Sequence, residues 1–397
     1  MRRLLLGILL CTATTALAGE APTMTWEQFE TRFASFALMS NAQQRDADFE
    51  QFWAELEQAG RIPFVDGERV AFLYRGRANS VAFAGDFNGW DPKRSPARQM
   101  IGTDTWWFET TFPRDARLDY KLVIDDGRWI LDPANPAIQR SGFGDNSELR
   151  MPGYEHSPWC DRREDVPRGA MIDGFLASEI LRYPVNYQVY TPVGYDDLEG
   201  LPVLYVTDGH EYADDRMGSL CATLDNLIHA GKLRPLIAVF IDPRIYGQNR
   251  RSEQYILSDV FAQFVATELV PAIDAQWKTS ADRRDRGILG TSLGGLNSAF
   301  FGLRHPDVFH RILIQSPAFQ AGDGRIVDYY REAPRLDLDL FMTWGTFHDF
   351  GPTTVEFQRI LDEKGYEYRH RLVNEGHSWG NWRNLLPEML LAMWPAE

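Results

Sequence analysis

The chain has 397 residues, with 56 acidic residues against 41 lysines and arginines and a formal net charge of −15. This acidic balance argues against nucleic acid as a partner, because binding a phosphate backbone requires clustered basic side chains. The length predicts about two domains, and past the leader no stretch reaches the roughly 18 uninterrupted apolar residues that a membrane helix needs.

Residues 1–18 have the composition of a secretory signal. Two arginines precede an apolar run from Leu4 to Leu10, and the small residues of Ala16-Leu17-Ala18 follow it. We therefore predict a mature chain that begins near Gly19 and is soluble, and that is either periplasmic or secreted.

The two cysteines that remain after such cleavage are Cys160 and Cys221. An exported chain permits a bridge between them, but the sequence cannot supply their separation, so a disulfide and two free thiols both stay open. Neither cysteine has a second cysteine or a histidine at ligand spacing, and we predict no metal site.

Residues 19–64 are predicted to be helical. Thr25 and Gln28 are spaced as a capping box at the start of a first helix that runs to Leu38. A second helix follows, because its large apolar side chains recur at i, i+3, i+4 and i+7, at Phe49, Phe52, Trp53 and Leu56.

Residues 65–150 change to a period of two. Segments such as VAFLYR, SVAFAG and LDYKLVI alternate apolar and polar side chains, and Asp126-Gly127 is typical of a tight hairpin turn. This pattern predicts a small antiparallel sandwich. The three prolines and many charges of residues 151–170 then predict a linker.

Residues 171–397 alternate short strands with helices. Several strands, among them PVLYV, PLIAVF and RILIQ, are continuous apolar runs, as expected where both faces of a strand are buried. A helix is predicted from Asp259 to Ile273. The alternation indicates a mostly parallel, doubly wound sheet with helices on both sides.

The segment RGILGTSLGGLNSAF carries the strongest chemical signal. A strand, a sharp glycine-flanked bend at Ser292 and a helix follow one another, which is the arrangement of a nucleophile elbow. Side chains at Gly290 or Gly294 would press into the adjoining elements, and the Leu293 amide would lie at a helix N-terminus where it can bind developing negative charge. Serines between glycines are also common in turns, which is the alternative.

A serine nucleophile needs a general base, and the order serine, acid, histidine predicts one late in the chain. His377 follows the last strand, whereas His305 at a helix end and His370 within a strand are better explained structurally. Asp349, in the loop after the preceding strand, is the predicted orienting acid. Glu356 and Glu375 compete with it.

A second oxyanion donor is expected after an early central strand. The segment PVLYVTDGHEY ends such a strand, and we predict the His210 amide as that donor. The alternative is an ordinary helix start capped by the Asp208 side chain.

The quoted motifs resemble a known family. DGHEY, GTSLGGLNSAF and EGHSWGNWRNLLPEML are similar to the esterase D group, and most similar to the enterochelin esterases, in which Gly-His is followed by Trp-Arg as in Gly376-His377 and Trp382-Arg383. The resemblance implies an α/β hydrolase fold and hydrolysis of the ester bonds of a catecholate trilactone siderophore. AGDFNGWDP resembles the early-set module, an immunoglobulin-like sandwich that binds starch and glycogen and also precedes feruloyl esterase domains.

The resemblance also implies substrate contacts. Arg250, Arg251 and Glu253 resemble an Arg-x-x-Glu element near the pocket of these esterases, and Trp379 and Trp90 are further predicted contacts. The sandwich tryptophans have two interpretations, as a platform for sugar or catechol rings or as core residues; they are Trp90, Trp106, Trp107 and Trp129.

Three functions remain open from the sequence. The first is a serine esterase acting on a siderophore, with iron arriving in the substrate and no cofactor of its own. The second is a carbohydrate esterase that removes feruloyl or acetyl groups from a glycan held by the sandwich. The third is a binding protein on a hydrolase fold. In the first two the partner is a small-molecule ester, and transfer of the acyl group to an alcohol is a variant of both.

Overall fold

The computed structural model describes residues 24–349 and 351–396, so the predicted signal sequence lies outside the described residues. The chain divides into two compact units, one that ends at Glu50 and one that begins at Gln51. The predicted sandwich and the predicted hydrolase region therefore fall within one unit.

The N-terminal residues form two helices, as the sequence predicts: α1 (Trp26–Leu38) and α2 (Ala42–Gln58). The capping box is present, because the Gln28 amide donates to the Thr25 hydroxyl at 3.3 Å and the Thr25 amide donates to Gln28 Oε1 at 2.9 Å. In the first unit Phe36 packs edge-on against Phe49 with ring centroids 5.1 Å apart, so aromatic contacts hold α1 against the start of α2.

Two small antiparallel sheets follow. Their strands are β1 (Phe64–Asp66), β2 (Arg69–Arg75), β3 (Val81–Gly85), β4 (Arg98–Gln99), β5 (Thr105–Thr111), β6 (Arg117–Ile124), β7 (Arg128–Ile130), β8 (Ile138–Gln139) and β9 (Asn146–Arg150). One sheet has the order β1-β2-β5-β4, and the other has the order β3-β6-β9-β8 with β7 paired to β6. Buried side chains from β2, β3, β5 and β6 fill the core between them. The sequence predicted this sandwich.

A large sheet occupies the rest of the chain. Its strands, with the separate hairpin β14–β15, are β10 (Ala170–Ala177), β11 (Pro184–Thr191), β12 (Val203–Val206), β13 (Ile237–Asp242), β14 (Arg244–Ile245), β15 (Gln248–Asn249), β16 (Arg286–Thr291), β17 (Arg311–Gln315), β18 (Asp339–Gly345) and β19 (Tyr368–Val373). The order is β10-β11-β13-β12-β16-β17-β18-β19. The strands β12, β13, β16, β17, β18 and β19 run parallel to one another, while β10 and β11 are antiparallel to their neighbours.

Helices cover both faces of this sheet. They are α3 (Gly209–Ala213), α4 (Leu220–His229), α5 (Arg251–Tyr255), α6 (Asp259–Phe264), α7 (Val270–Gln276), α8 (Leu293–Arg304), α9 (Arg325–Glu332), α10 (Pro352–Glu363) and α11 (Trp379–Met393). Successive residues of β16 point to opposite faces of the sheet and pack in different hydrophobic clusters. Ile288 packs with α6 to α10, whereas Leu289 packs with α4 and α11. The predicted α/β hydrolase fold is confirmed.

Three details differ from the predictions. The expected continuous helix from Asp259 is interrupted by a π-helical turn, Val265–Leu269, just before Pro271, which has no N–H to donate. Strand β10 was not predicted, because it is a largely exposed edge strand without a clear alternation. Residues 151–170 are not a free linker, since Asn226 Nδ2 donates to the carbonyls of Trp159 and Asp161 at 2.8 Å.

The structure resolves the question of the cysteines. Cys160 and Cys221 are both buried free thiols, and each contacts a different group: the Arg383 carbonyl for Cys160 and the Met171 sulfur for Cys221. Burial raises the pKa of Cys160 to about 11 and that of Cys221 to about 12, so both behave as packed apolar groups.

Across residues 24–349 and 351–396, no helix is both long and apolar enough to cross a membrane. The same residues contain no group of three or more histidines, cysteines or carboxylates arranged to hold a metal ion.

Candidate active site

Ser292 lies at the bend between β16 and α8. Its backbone angles, φ 58° and ψ −118°, are in a region that non-glycine residues rarely occupy. Neighbouring backbone fixes this strained conformation: the Ser292 amide donates to the Gln315 carbonyl at 3.0 Å, and the Ser292 carbonyl accepts from the Ala318 amide at 2.9 Å. The half-buried hydroxyl is therefore presented on a rigid turn.

The glycines around this bend are required by space. A Cβ on Gly290 would lie 2.3 Å from the Gly294 carbonyl oxygen and 2.4 Å from Thr207 Oγ1, and one on Gly294 would lie 2.6 Å from the same hydroxyl. Strand, bend and helix can approach this closely only without side chains at these positions.

Gly290→Ala is expected to destabilise the fold by about 1 to 3 kcal/mol or more, because the added methyl meets backbone that cannot move aside. Denaturant unfolding would measure the loss. Gly127→Ala is a matched control, since its Cβ would have no neighbour nearer than 3.9 Å, and we expect a change of less than about 0.5 kcal/mol. Equal stability of Gly290→Ala and wild type would show that the bend can relax.

His377 and Asp349 form a hydrogen-bonded pair. His377 Nδ1 lies 2.6 Å from Asp349 Oδ1, with the Asp349 side chain fully buried and the His377 side chain 41% exposed. Nδ1 is thereby occupied, and no described residue hydrogen-bonds His377 Nε2. A buried carboxylate on one ring nitrogen with the other accessible is the arrangement of a general base.

The competing acids lie elsewhere. Glu356, on the exposed face of α10, pairs with Arg331 and Arg359. Glu375 is buried and faces Arg117 of the sandwich at 3.9 Å. Of the three predicted candidates, only Asp349 hydrogen-bonds the histidine.

Ser316 and Trp382 contact the His377–Asp349 pair. The sequence analysis did not identify either of them as a functional residue. The Ser316 hydroxyl donates to Asp349 Oδ2 at 2.6 Å and accepts from the Trp382 indole N–H at 2.7 Å. The Gly345 amide also donates to Asp349 Oδ2, and the Trp382 ring packs edge-on against His377 at 4.9 Å. The available signals were the serine directly after RILIQ and the second tryptophan of HSWGNW.

These groups project from neighbouring strands of the parallel sheet. Ser292 follows β16, Ser316 follows β17, Asp349 lies in the loop after β18, and His377 lies in the loop after β19. In register, Thr291 pairs with Gln315, and Gln315 pairs with Thr343. The predicted site residues therefore lie along the carboxyl edge of the sheet, where open α/β sheets bind ligands.

The two predicted oxyanion donors are backbone amides in the first turns of two helices. The Leu293 amide is in the first turn of α8 and the His210 amide is in the first turn of α3, where backbone N–H groups lack an intrahelical acceptor. Their strands, β16 and β12, are adjacent in the sheet.

The alternative interpretation expected the Asp208 side chain to cap α3, but the Asp208 side chain does not accept a hydrogen bond from that helix. Its backbone is left-handed, at φ 52°, and its buried carboxylate accepts from Arg251 Nε at 2.9 Å. Burial raises the pKa of Asp208 to about 6, while Arg251 opposes that rise. Arg251 Nη2 also donates to the Thr291 carbonyl at 3.3 Å, so the ion pair supports the strand end that carries Ser292.

The other predicted substrate contacts do not converge on one point. Arg250 pairs with exposed Glu253 at 2.8 Å and stacks over the Tyr183 ring. Trp379 corrects our expectation: it is 2% exposed, and its ring packs against Tyr212 while its indole N–H donates to Glu211 at 2.9 Å. A ring enclosed in this way supports α11 and has no face for substrate.

The sandwich tryptophans divide between surface and core. Trp90 stacks on Trp129 with ring centroids 6.4 Å apart and an angle of 27°, and Trp129 is 44% exposed. Trp106 is buried in the sandwich core. The Trp90–Trp129 pair, and not all four rings, forms an accessible aromatic surface.

A cavity of about 360 Å³ is lined in part by His210. Tyr187, Phe240, Asp242 and Arg244 contribute to its wall. His210 Nδ1 is buried without a hydrogen-bond partner among the described residues and lies 3.5 Å from Asp242 Oδ1.

Glu375 is buried two residues before His377, and no described residue hydrogen-bonds its Oε2 atom. Burial raises the pKa of Glu375 to about 8, and Arg117 only partly offsets this. The folded protein therefore holds this proton more tightly than the unfolded chain, in which the carboxyl titrates near pH 4.5. Stability is lost as the pH rises from about 4.5 towards 8, because only the unfolded state releases the proton in that range.

Glu375→Gln is expected to flatten the fall of stability between about pH 6.5 and pH 8, by about 1.5 kcal/mol over that range. This range lies above the pKa of about 6 of Asp208 and Asp132, which contribute at lower pH. Thermal unfolding of wild type and variant across these pH values would measure the slopes. Parallel curves would contradict a protonated Glu375.

Comparisons with known proteins identify a family of esterases. The model of a family described as a putative esterase matches residues 178–393. The iron(III) enterobactin esterase of Dickeya dadantii is 28% identical over 328 residues, covering 71% of this chain and 73% of that protein. The endo-1,4-beta-xylanase/feruloyl esterase of Xylanibacter ruminicola is 27% identical over 215 residues, covering 51% of this chain but 29% of that protein.

A solved structure is similar over most of the chain. The ferric enterobactin esterase of Salmonella typhimurium superposes with a TM-score of 0.70 at 23% identity, covering 84% of this chain and 95% of that one. The likeness confirms the fold. With the family match and the Dickeya relative it also confirms the resemblance to the enterochelin esterases.

Proposed function

Because the chain belongs to the putative esterase family, we propose that it hydrolyses carboxylic esters with Ser292 as nucleophile, His377 as general base and Asp349 as orienting acid. The observation that carries the proposal is the 2.6 Å contact between His377 Nδ1 and the fully buried Asp349 side chain. The strand β16 leads into the strained bend at Ser292; β18, before Asp349, is two strands from it in the sheet, and β19, before His377, is three strands from it. This arrangement supports acyl transfer through a covalent intermediate.

Acylation begins when His377 Nε2 takes the hydroxyl proton of Ser292 while the serine oxygen bonds to the ester carbonyl carbon. The carbonyl π electrons move to oxygen, and the Leu293 and His210 amides donate hydrogen bonds to that oxyanion. Collapse of the intermediate breaks the carbon–oxygen bond of the ester. The alcohol leaves with the proton from His377, and the acyl group remains on Ser292.

Deacylation repeats these steps with water. His377 takes a proton from water, the hydroxyl adds to the acyl carbon, and the serine oxygen leaves and is reprotonated. Asp349 stays ionised throughout and stabilises the imidazolium. Every step is a two-electron displacement that the side chains and amides can perform themselves, so the reaction requires no cofactor.

We further propose that the ester belongs to a catecholate trilactone siderophore, with iron carried by the substrate. Support comes from the Dickeya relative, named an iron(III) enterobactin esterase, whose similarity covers more of this chain than the 178–393 family match does. A substrate with aromatic acyl arms also suits a chain with an accessible aromatic pair, Trp90 and Trp129.

A second candidate is a feruloyl or acetyl ester on a glycan. The relative from Xylanibacter ruminicola, named a xylanase and feruloyl esterase, supports it. The Trp90–Trp129 stack is also a surface of the kind on which sugar rings pack. In this alternative, the sandwich would hold the polysaccharide while the serine removes its acyl group.

One assay separates these candidates. Wild type and Ser292→Ala would be incubated with ferric enterobactin, methyl ferulate and p-nitrophenyl acetate, and the products would be identified by mass. We expect ferric enterobactin to be hydrolysed fastest and all activity to depend on Ser292. Faster hydrolysis of methyl ferulate would favour the glycan ester. Failure of wild type on all three would favour a binding protein on a hydrolase fold.

Export of the protein is also a proposal, supported by the residues at 1–18. Expression of the full chain in a Gram-negative host, followed by fractionation and N-terminal sequencing, would test it. A periplasmic or secreted product beginning near Gly19 is expected, and an uncleaved cytoplasmic product would contradict it.

A further inference from the structure

The β-sandwich contacts both loops that carry the candidate acid and base. Phe112, after β5, packs edge-on against Phe347 of the Asp349 loop, with ring centroids 5.8 Å apart. The Arg117 amide, at the start of β6, donates to the Asn374 carbonyl at 3.1 Å. The two loops are joined in turn, because the Phe347 amide donates to the Glu375 carbonyl at 3.2 Å.

Arg117 is the centre of this interface, and its side chain is fully buried. Its Nε donates to Glu148 at 2.6 Å and its Nη2 donates to Asp119 at 2.7 Å, both within the sandwich. Its Nη1 crosses the interface and donates to the Ser378 hydroxyl at 2.9 Å. One guanidinium thus joins the sandwich to the residue directly after His377.

The surrounding charges keep Arg117 ionised. Burial lowers the pKa of Arg117, but the Asp119 and Glu148 carboxylates raise it well above its usual value. A guanidinium with fixed geometry and several simultaneous acceptors can hold two elements in one relative position. Loss of the cation would leave buried carboxylates without a partner.

Two glycines show how closely the His377 loop is pressed against the sandwich. A Cβ on Gly376 would lie 2.1 Å from Asp86 Cγ, and one on Gly380 would lie 2.0 Å from Arg117 Cζ. Gly376 is not among the residues with left-handed backbone. Its role in the structure is to permit close approach.

We propose that Arg117 is a positioning residue for His377, acting from the sandwich through the hydrogen bond of its side chain to the Ser378 hydroxyl. The proposal rests on the proposed role of His377 as the base. If Arg117 holds His377 in place, the sandwich affects the hydrolysis of every ester, including esters too small to touch the sandwich. The reason is that misplacing a base by about 1 Å can lower the rate on the order of 100-fold.

The test compares Arg117→Gln and Ser378→Ala with wild type on p-nitrophenyl acetate. The pre-steady-state burst of p-nitrophenol counts the competent sites, so that kcat is expressed per folded site. We expect kcat to fall about 10- to 100-fold in Arg117→Gln and about 3- to 10-fold in Ser378→Ala, with KM changed by less than about two-fold. Arg117→Lys should recover part of the loss, because it restores a buried cation.

Arg150→Gln is the matched control. Arg150 also donates to Glu148, at 2.9 Å, but its side chain is 46% exposed and it has no contact with Ser378 or Asn374 among the described hydrogen bonds. We expect its kcat to stay within about two-fold of wild type. An equal loss in Arg150→Gln and Arg117→Gln would show a general effect of the charge cluster and would overturn the proposal.

Ser378→Ala decides the matter if Arg117→Gln fails to fold, because it removes one hydrogen bond and leaves the ion pairs of Arg117 in place. A folded Ser378→Ala with wild-type kcat would overturn the proposal. Ser292→Ala in the same assay separates the two ideas. If Ser292→Ala stays active, the proposed function is wrong. If it is inactive while kcat is unchanged in the interface variants, only the positioning role is wrong.

Discussion

Ser292→Ala is expected to lower kcat for ester hydrolysis by about 10⁴- to 10⁶-fold, without loss of the fold. The reason is chemical, since removal of the hydroxyl removes the atom that forms the acyl-enzyme. Alanine adds no atom to the bend between β16 and α8, and the backbone hydrogen bonds of residue 292 to Gln315 and Ala318 are unaffected. Steady-state rates on p-nitrophenyl acetate, with circular dichroism of the same samples, would measure both effects.

Ser298→Ala, on the helix α8 that follows the bend, is the matched control. Ser298 is fully buried, and its hydroxyl has no hydrogen-bond partner in the described part of the chain. Its removal should leave kcat within about two-fold of wild type. Comparable activity of Ser292→Ala and Ser298→Ala would contradict the assignment of Ser292 as nucleophile.

Asp349→Asn is expected to lower kcat by about 10³- to 10⁴-fold with little change in structure. Asp349 Oδ2 accepts from Ser316 and from the Gly345 amide, so the carbonyl oxygen of asparagine should take that position. Its NH₂ group would then face His377 Nδ1. That contact favours the tautomer with the proton on Nε2, which cannot take a proton from serine.

Glu356→Gln tests whether the effect is specific to Asp349. Glu356 is one of the two competing acids predicted from the sequence, and its partners on the surface are Arg331 and Arg359. Its kcat should stay within about two-fold of wild type. If Glu356→Gln and Asp349→Asn lost equal activity, the geometric choice of Asp349 would be wrong.

The sequence predicted the elements that depend on local pattern. Both N-terminal helices, the sandwich and the parallel sheet follow from apolar periods of 3.6 and 2, and the capping box of Thr25 and Gln28 is present. Ser292 and His377 could be predicted as site residues because an elbow and a late Gly-His have local signatures. The prediction of Asp349 depended on the order of the strands, because its place after β18 was the one indication of its role.

What the sequence did not predict depends on contacts between distant residues. Ser316 orients Asp349 across 33 residues, and Arg117 reaches Ser378 across 261. Arg117, directly before the segment LDYKLV, gives no sign in the sequence of full burial, because an arginine in an alternating strand usually faces water. The prediction that Trp379 contacts substrate was wrong for the complementary reason. Trp379 is close to His377 in sequence, but its ring packs into the core beneath the candidate site.

The most direct test of the account is to label the nucleophile. The protein would be treated with an aryl or alkyl fluorophosphonate, which reacts with a serine only when a base activates it, and the adduct would be located by peptide mass spectrometry. We predict one adduct, on Ser292, and its loss in His377→Ala. An adduct on another residue, or none in a preparation that hydrolyses esters, would contradict the serine mechanism.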